Sequence, residues 1–191
     1  QRGARAEFSA AGWEARWGAP ALPKAGGPGF RAGIGALARR PMPLEEVLPD
    51  AYPEELRGRG WQHRLEARFA HFICAPGAGS LCWHWLVVYG HVGARHTGGV
   101  ALYELNEELL KFLFELGASL GGVPVGVVGD YNVEPEESGL LTAVLATQAW
   151  HDAAAEHEDP QPTCFQAGGS PSRIDVAVLN TAAMRCCRGV R

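Results

Sequence analysis

No stretch of the sequence reaches the roughly 18 consecutive apolar residues that a membrane-spanning helix needs, so it offers no membrane segment and reads as soluble. Positive charge is scarce as well: 17 Lys and Arg stand against 21 Asp and Glu, a net charge of −4. No dominant positive field draws such a chain onto nucleic acid or an acidic membrane, and any phosphate must be met at a local site. The five cysteines (Cys74, Cys82, Cys164, Cys186, Cys187) contain no C-x-x-C and no paired histidines at zinc-finger spacing. That argues against a disulfide framework or a structural zinc and for a reducing, intracellular setting, the nucleus included. An initiating Met and a signal-type apolar core are missing too, since the chain opens on Gln1-Arg2-Gly3 and reads as a fragment or processed piece. Glycine and proline, by contrast, supply 25 and 13 of 191 residues. Their share is well above the average of about 12%, which points to a loop-rich globular domain. At 47% hydrophobic and 20% charged the chain can bury a core, and its length suits one domain spanning 1–191.

Residues 1–33 are rich in small residues and turns. Ile34–Arg40 and Arg68–Cys74 read as short strands, and the proline-bearing, acidic stretch Pro41–Gly60 as a surface excursion. The aromatic and β-branched run Trp83–Tyr89, stopped by Gly90, predicts a buried strand. Between Leu102 and Leu120 apolar residues recur at steps of three and four, which predicts a helix with Glu104, Glu107, Glu108, Lys111 and Glu115 on its solvated face. Glu107 and Lys111 form an i,i+4 pair in the favourable order. Val123–Val128 predicts a second strand, Ser138 can cap a following helix through Gln148, and Ile174–Leu179 predicts a late strand. Strand, helix, strand, helix is the order of an α/β domain.

Polar residues cluster where the apolar strands end: Tyr89, then Gly129-Asp130-Tyr131-Asn132, then Ser172-Arg173-Ile174-Asp175. Such positions can converge on one rim of a sheet without cost to the core. In Asp130-x-Asn132 a carboxylate can polarise water or bind a divalent cation while a carboxamide N–H steadies charge on a phosphate oxygen. The same pair can equally serve a plain Asx turn.

Val125-Gly126-Val127-Val128-Gly129-Asp130-Tyr131-Asn132 resembles the "GDFN" strand-end motif of the endonuclease/exonuclease/phosphatase superfamily. Val87-Val88-Tyr89-Gly90 is similar to that family's upstream strand ending in a Tyr. Pro162-Thr163-Cys164-Phe165 with Ser170–Leu179 resembles its late "T-F … S-R-I-D-x-x-L" segment, and Phe30–Arg39 its early "G-G-x-A-I-L" strand. The match is collinear from about Phe30 to Leu179. It implies an α+β or α/β fold, a four-layer sandwich of two mixed β-sheets flanked by helices. It also implies Mg2+-dependent (or Mn2+-dependent) phosphoester hydrolysis: Tyr89 on the scissile phosphate, Asp130 aligning the water, Asn132 on the phosphate in the transition state, Asp175 orienting a histidine, and Asp130 and Asn132 at the metal. Arg173 is left between a phosphate contact and a local ion pair, and His91 stands as a phosphate contact at the cleft.

The family's "Q-E" element, which bears a metal-binding Glu, has no counterpart near Gly12-Trp13, and Glu7 and Glu14 lack its context. Its closing "S-D-H" element would fall after Arg191, so the resemblance is to a domain truncated at both ends. His84, His91, His96, His151 and His157 lack metal-site spacing and read mainly as loop or partly buried histidines. The function expected is a metal-dependent phosphodiesterase, an endonuclease acting on the phosphate backbone of DNA or RNA; domains of the resembled family also occur fused to reverse transcriptases, and such a fusion is one expectation for the parent protein. Its competitors are an inactive remnant of the same fold and a lipid or small-molecule phosphatase.

Overall fold

A computed structural model describes residues 11–21, 31–75, 81–94, 99–157, 160–165 and 169–187; Glu7, Gly26–Gly29, Phe30, His96 and Gly168 lie outside them. Strand β5 (Trp83–Tyr89) has the bounds its aromatic run predicts, and α2 (Val100–Ser119) crosses from it to the parallel strand β6 (Val125–Asp130). The antiparallel partners β3 (Leu44–Val47), β4 (Phe69–Cys74), β7 (Trp150–Asp152) and β8 (Asp175–Asn180) complete a six-stranded sheet in the order β3-β4-β5-β6-β8-β7. Strands β1 (Trp13–Ala21) and β2 (Arg31–Arg39) form a separate antiparallel pair.

The period of two along each strand sorts side chains to the two faces of the large sheet. Leu86, Val88, Val125, Val127, Val176 and Val178 face α1 (Glu54–Leu65), α2 and α3 (Gly139–Ala146) in the main core. Each of Leu109, Leu110, Leu113 and Leu116 on α2 is fully buried there. Such burial is worth about 1.5–3 kcal/mol per side chain relative to exposure. On the other face, Trp83, Trp85, Val87 and Tyr89 lie against the cluster of Ile34 and Ala38 of β2, and Trp83 and Trp85 also pack near the short helices α4 (Ala153–Glu156) and α5 (Thr181–Met184). The result is a mixed sheet with a second sheet on one face and helices on both, an α/β sandwich.

Three local expectations need correction. Pro41–Gly60 is no surface excursion: it holds β3, and Leu44, Pro49, Tyr52 and Leu56 are buried. Its prolines punctuate, with Pro49 opening a 3-10 turn and Pro53 capping α1. Leu102 and Leu105, the start of the α2 stripe, extend past the core and are 37% and 50% exposed. Glu107 does not run along the helix to Lys111. Its carboxylate clasps the start of α3 instead, accepting from Ser138 Oγ (2.5 Å) and Leu140 N (2.8 Å), while Ser138 Oγ accepts from Leu141 N as the expected cap.

Candidate active site

The site is built by strand register. Tyr89 of β5 pairs with Asp130 of β6, and Asp130 pairs with Asp175 of β8, so the three stand abreast at the ends of adjacent strands and on one face of the sheet. Asn132 follows in the turn. Asp130 Oδ1 accepts its backbone N–H at 2.9 Å, closing an Asx turn, and Asn132 takes a left-handed φ of 53°, a region asparagine tolerates better than most residues.

That turn is fastened to the turn after β5. Gly90 N–H donates to Asp130 O at 2.7 Å, and Asn132 Nδ2 donates to Gly90 O at 3.1 Å. The two backbones run so close that a Cβ on Gly90 would overlap the Tyr131 carbonyl. Gly129, at φ 140°, supplies the matching kink at the end of β6. Tyr131 is the bolt between the acidic and amide residues: fully buried, it donates from its phenol to Val127 O (2.9 Å) and from its amide to Ile174 O (2.7 Å). Asn106 of α2, 1% exposed, then staples both turns, accepting from His91 N at 2.9 Å and donating from Nδ2 to Tyr131 O at 3.1 Å.

Electrostatically the rim is acidic at its centre. Burial pushes the Asp130 carboxyl above its ordinary value, and the charge of Asp175 pushes it the same way, against the hydrogen bonds from Asn132. Thr163, in the segment quoted for the resemblance, anchors the start of β8 by accepting from Ile174 N and Asp175 N at 3.2 and 3.0 Å. Arg68 brings a cation to this rim. Its Nη1 donates to Gly90 O at 2.9 Å, and its guanidinium carbon lies 5.3 Å from the Tyr89 ring centre.

Of the sequence candidates, Tyr89, Asp130, Asn132 and Asp175 gather at one rim. His91 is half-buried on the Gly90 turn, its imidazole pKa pushed down by burial and by Arg68. Arg173 resolves to the local-pair alternative: its two terminal nitrogens meet both oxygens of Asp152 at 3.1 and 2.5 Å. Glu14 pairs with Arg16 on β1, and His84 lies in the sheet against His71 (2.9 Å), away from the rim. Sequence reasoning missed Arg68 and Asn106. Only Asn106 left a signal, as a polar residue in the apolar stripe of a helix.

The oxygen donors at this rim, two carboxylates and a carboxamide, have the hard chemistry of Mg2+ or Mn2+, which is commonly held through one or two carboxylates with water and phosphate oxygens. Opposed carboxylates at 130 and 175 fit that charge. Among the described residues no three His, Cys, Asp or Glu come together in a fuller metal cluster.

No protein-family model and no curated protein matches the chain. Solved structures do. The chain is similar to a 3′-5′ exonuclease (NExo) from Neisseria meningitidis, with a TM-score of 0.64, 16% identity, and coverage of 98% of this chain and 74% of that one. A Neisseria NExo 3′ phosphatase bound to product DNA hairpin matches at a TM-score of 0.58, 14% identity and 95% and 72% coverage. An AP endonuclease from Archaeoglobus fulgidus matches at 0.63, 13% identity and 95% and 72% coverage. The chain shares the DNase I-like α/β fold of these structures.

Proposed function

We propose that this chain is a divalent-metal-dependent phosphodiester hydrolase whose substrate is a nucleic acid. The observation that carries the reading is the register that sets Tyr89, Asp130 and Asp175 abreast, with Asn132 fastened beside them. An in-line phosphoryl transition state needs an aligned water and donors for its equatorial oxygens more than it needs a protein nucleophile. Asp130 accepts the hydrogen bond that aligns the water, Asn132 donates from its carboxamide to a phosphate oxygen, and the Tyr89 phenol meets the same group. Asp175 stands as the second carboxylate; among the described residues no histidine hydrogen-bonds to it. Asp130, Asn132 and Asp175 are the donors that would hold the metal, which supplies positive charge against the phosphate oxygens. The DNA hairpin bound to one structural neighbour, together with the exonuclease and endonuclease activities of others, supports nucleic acid as the substrate class.

The test is cleavage of plasmid DNA and of RNA with Mg2+ or Mn2+. Asp130→Ala is expected to lower the rate by about 10²-fold or more, as loss of one preorganised polar group does, and to weaken metal binding measured by calorimetry. Unchanged cleavage rejects the assignment. Release of phosphate from a monoester with DNA left intact would assign a phosphatase instead. A second reading, a fold kept for binding without turnover, is favoured by the thin donor set among the described residues. It predicts nucleic-acid binding with no metal-stimulated cleavage.

A further inference from the structure

Arg68 reaches the rim by a strained route. The chain leaves α1 through Ala67, whose φ of 53° lies in the left-handed region, and two hydrogen bonds close the turn: Ala67 N to Arg64 O at 3.0 Å and Arg68 N to His63 O at 2.9 Å. This is the Schellman arrangement, in which glycine usually takes the left-handed place. An alanine there costs conformational energy and persists because its surroundings hold it; Ala67 is 2% exposed. The turn delivers Arg68 to the first rung between β4 and β5, where its carbonyl accepts from Tyr89 N at 2.9 Å.

From that rung the side chain reaches the site residues through Nη1 on Gly90 O and through the guanidinium against the Tyr89 ring. Gly90 O is also the acceptor of Asn132 Nδ2. One carbonyl therefore ties a fixed cation to the carboxamide assigned to the phosphate oxygen. Among the described residues no carboxylate forms an ion pair with Arg68, and His91 lies within its electrostatic reach.

We propose that Arg68 is a positioning residue of this site, holding the Gly90 carbonyl and the Tyr89 ring so that the Asn132 carboxamide and the Tyr89 phenol keep their geometry. The inference rests on the hydrolase reading. A planar guanidinium can lie along an aromatic ring while donating to a carbonyl, whereas a lysine keeps the charge and loses that fork. Small misplacements of positioned groups cost rate far more than binding.

The test is Arg68→Lys in the full chain, with thermal unfolding checked first, alone and combined with Asn132→Ala. Arg68→Lys is expected to lower kcat by about tenfold or more with KM within about twofold, since an interaction that acts on geometry is lost in the transition state. In the Asn132→Ala background the same change is expected to cost about twofold or less, because residues that act through one carbonyl are not additive. A side-chain amide resonance of Asn132 that shifts in Arg68→Lys is expected as well, and it needs no turnover. Unchanged kcat, a rise in KM alone, or full additivity with Asn132→Ala overturns the proposal while leaving the hydrolase reading intact. Absence of cleavage by the unsubstituted chain overturns both.

Discussion

Asp152→Ala tests the clearest energetic feature of the site's surroundings. The Asp152 and Arg173 side chains are 6% and 11% exposed and meet through two hydrogen bonds, and Asp152 Oδ1 also accepts from Ala154 N and Ala155 N at the start of α4. Removing one partner of a buried pair leaves the other charge uncompensated, which costs about 3–5 kcal/mol. Loss of the cap is worth about 1 kcal/mol on a longer helix, and less on a helix this short. The expected destabilisation is thus about 4 kcal/mol, read in urea or thermal unfolding as a fall in Tm of about 8–16 °C for a chain of this size. Asp152→Leu with Arg173→Met removes both charges and is expected to recover most of that loss, because well-packed apolar replacements of buried pairs are often neutral or better. A single Asp152→Ala within about 1 kcal/mol of the unsubstituted protein would refute the reasoning. Arg173 would then be structurally free, and the phosphate role left open for it in the sequence would return.

Acid stability follows from His71, which is 1% exposed and hydrogen-bonded to His84 Nδ1 (2.9 Å) and Tyr52 Oη (3.3 Å). Burial, and then the charge of His84, lowers its pKa from 6.5 to about 3, so between those values the unfolded chain binds a proton that the folded chain does not. Stability is expected to fall as pH drops through that window, by up to about 1.4 kcal/mol per pH unit from this group, and His71→Leu should flatten the slope; an identical slope in the variant refutes the assignment. Asn106→Ala leaves the Tyr131 carbonyl and the His91 amide without their partner. Chemical denaturation should show a loss of about 2–3 kcal/mol, with activity falling because both site turns lose their staple; a variant as stable and active as the parent would refute the staple.

The elements legible in the sequence are those whose pattern is decided locally. Trp83–Tyr89 is dominated by aromatic and β-branched residues, and the α2 stripe repeats for five turns; both emerge within two residues of expectation. β7 and α1 were not legible, for different reasons. β7 is only three residues, Trp150–Asp152, and exists because β8 offers it an edge. α1 buries only Leu56, Gly60 and His63 and so has no apolar stripe to read, its place being set by Tyr52 packing on Gly60. Prolines nearby read as loop residues, although Pro49 and Pro53 sit at helix starts, where a missing N–H costs little.

For the candidate site, the sequence posed a choice between an Asx turn and a functional pair at Asp130 and Asn132; the geometry shows the turn, and the turn is compatible with the functional role proposed for the pair. The hydrogen bond from Asn132 N to Asp130 Oδ1 is the Asx turn, and it is also what turns Asn132 into the left-handed conformation from which Nδ2 reaches Gly90 O beside Tyr89. A turn that merely reversed the chain would not need the neighbouring glycine to forgo a Cβ, a buried tyrosine to pin it, or a helix asparagine to bridge it to the next turn. These constraints come from three separate segments, residues 90–91, 106 and 131–132, and they act on backbone atoms. Residue types alone expose such constraints poorly, which is why the strand-end side chains could be named from the sequence while Asn106 and Arg68, which act on the backbone that carries them, could not.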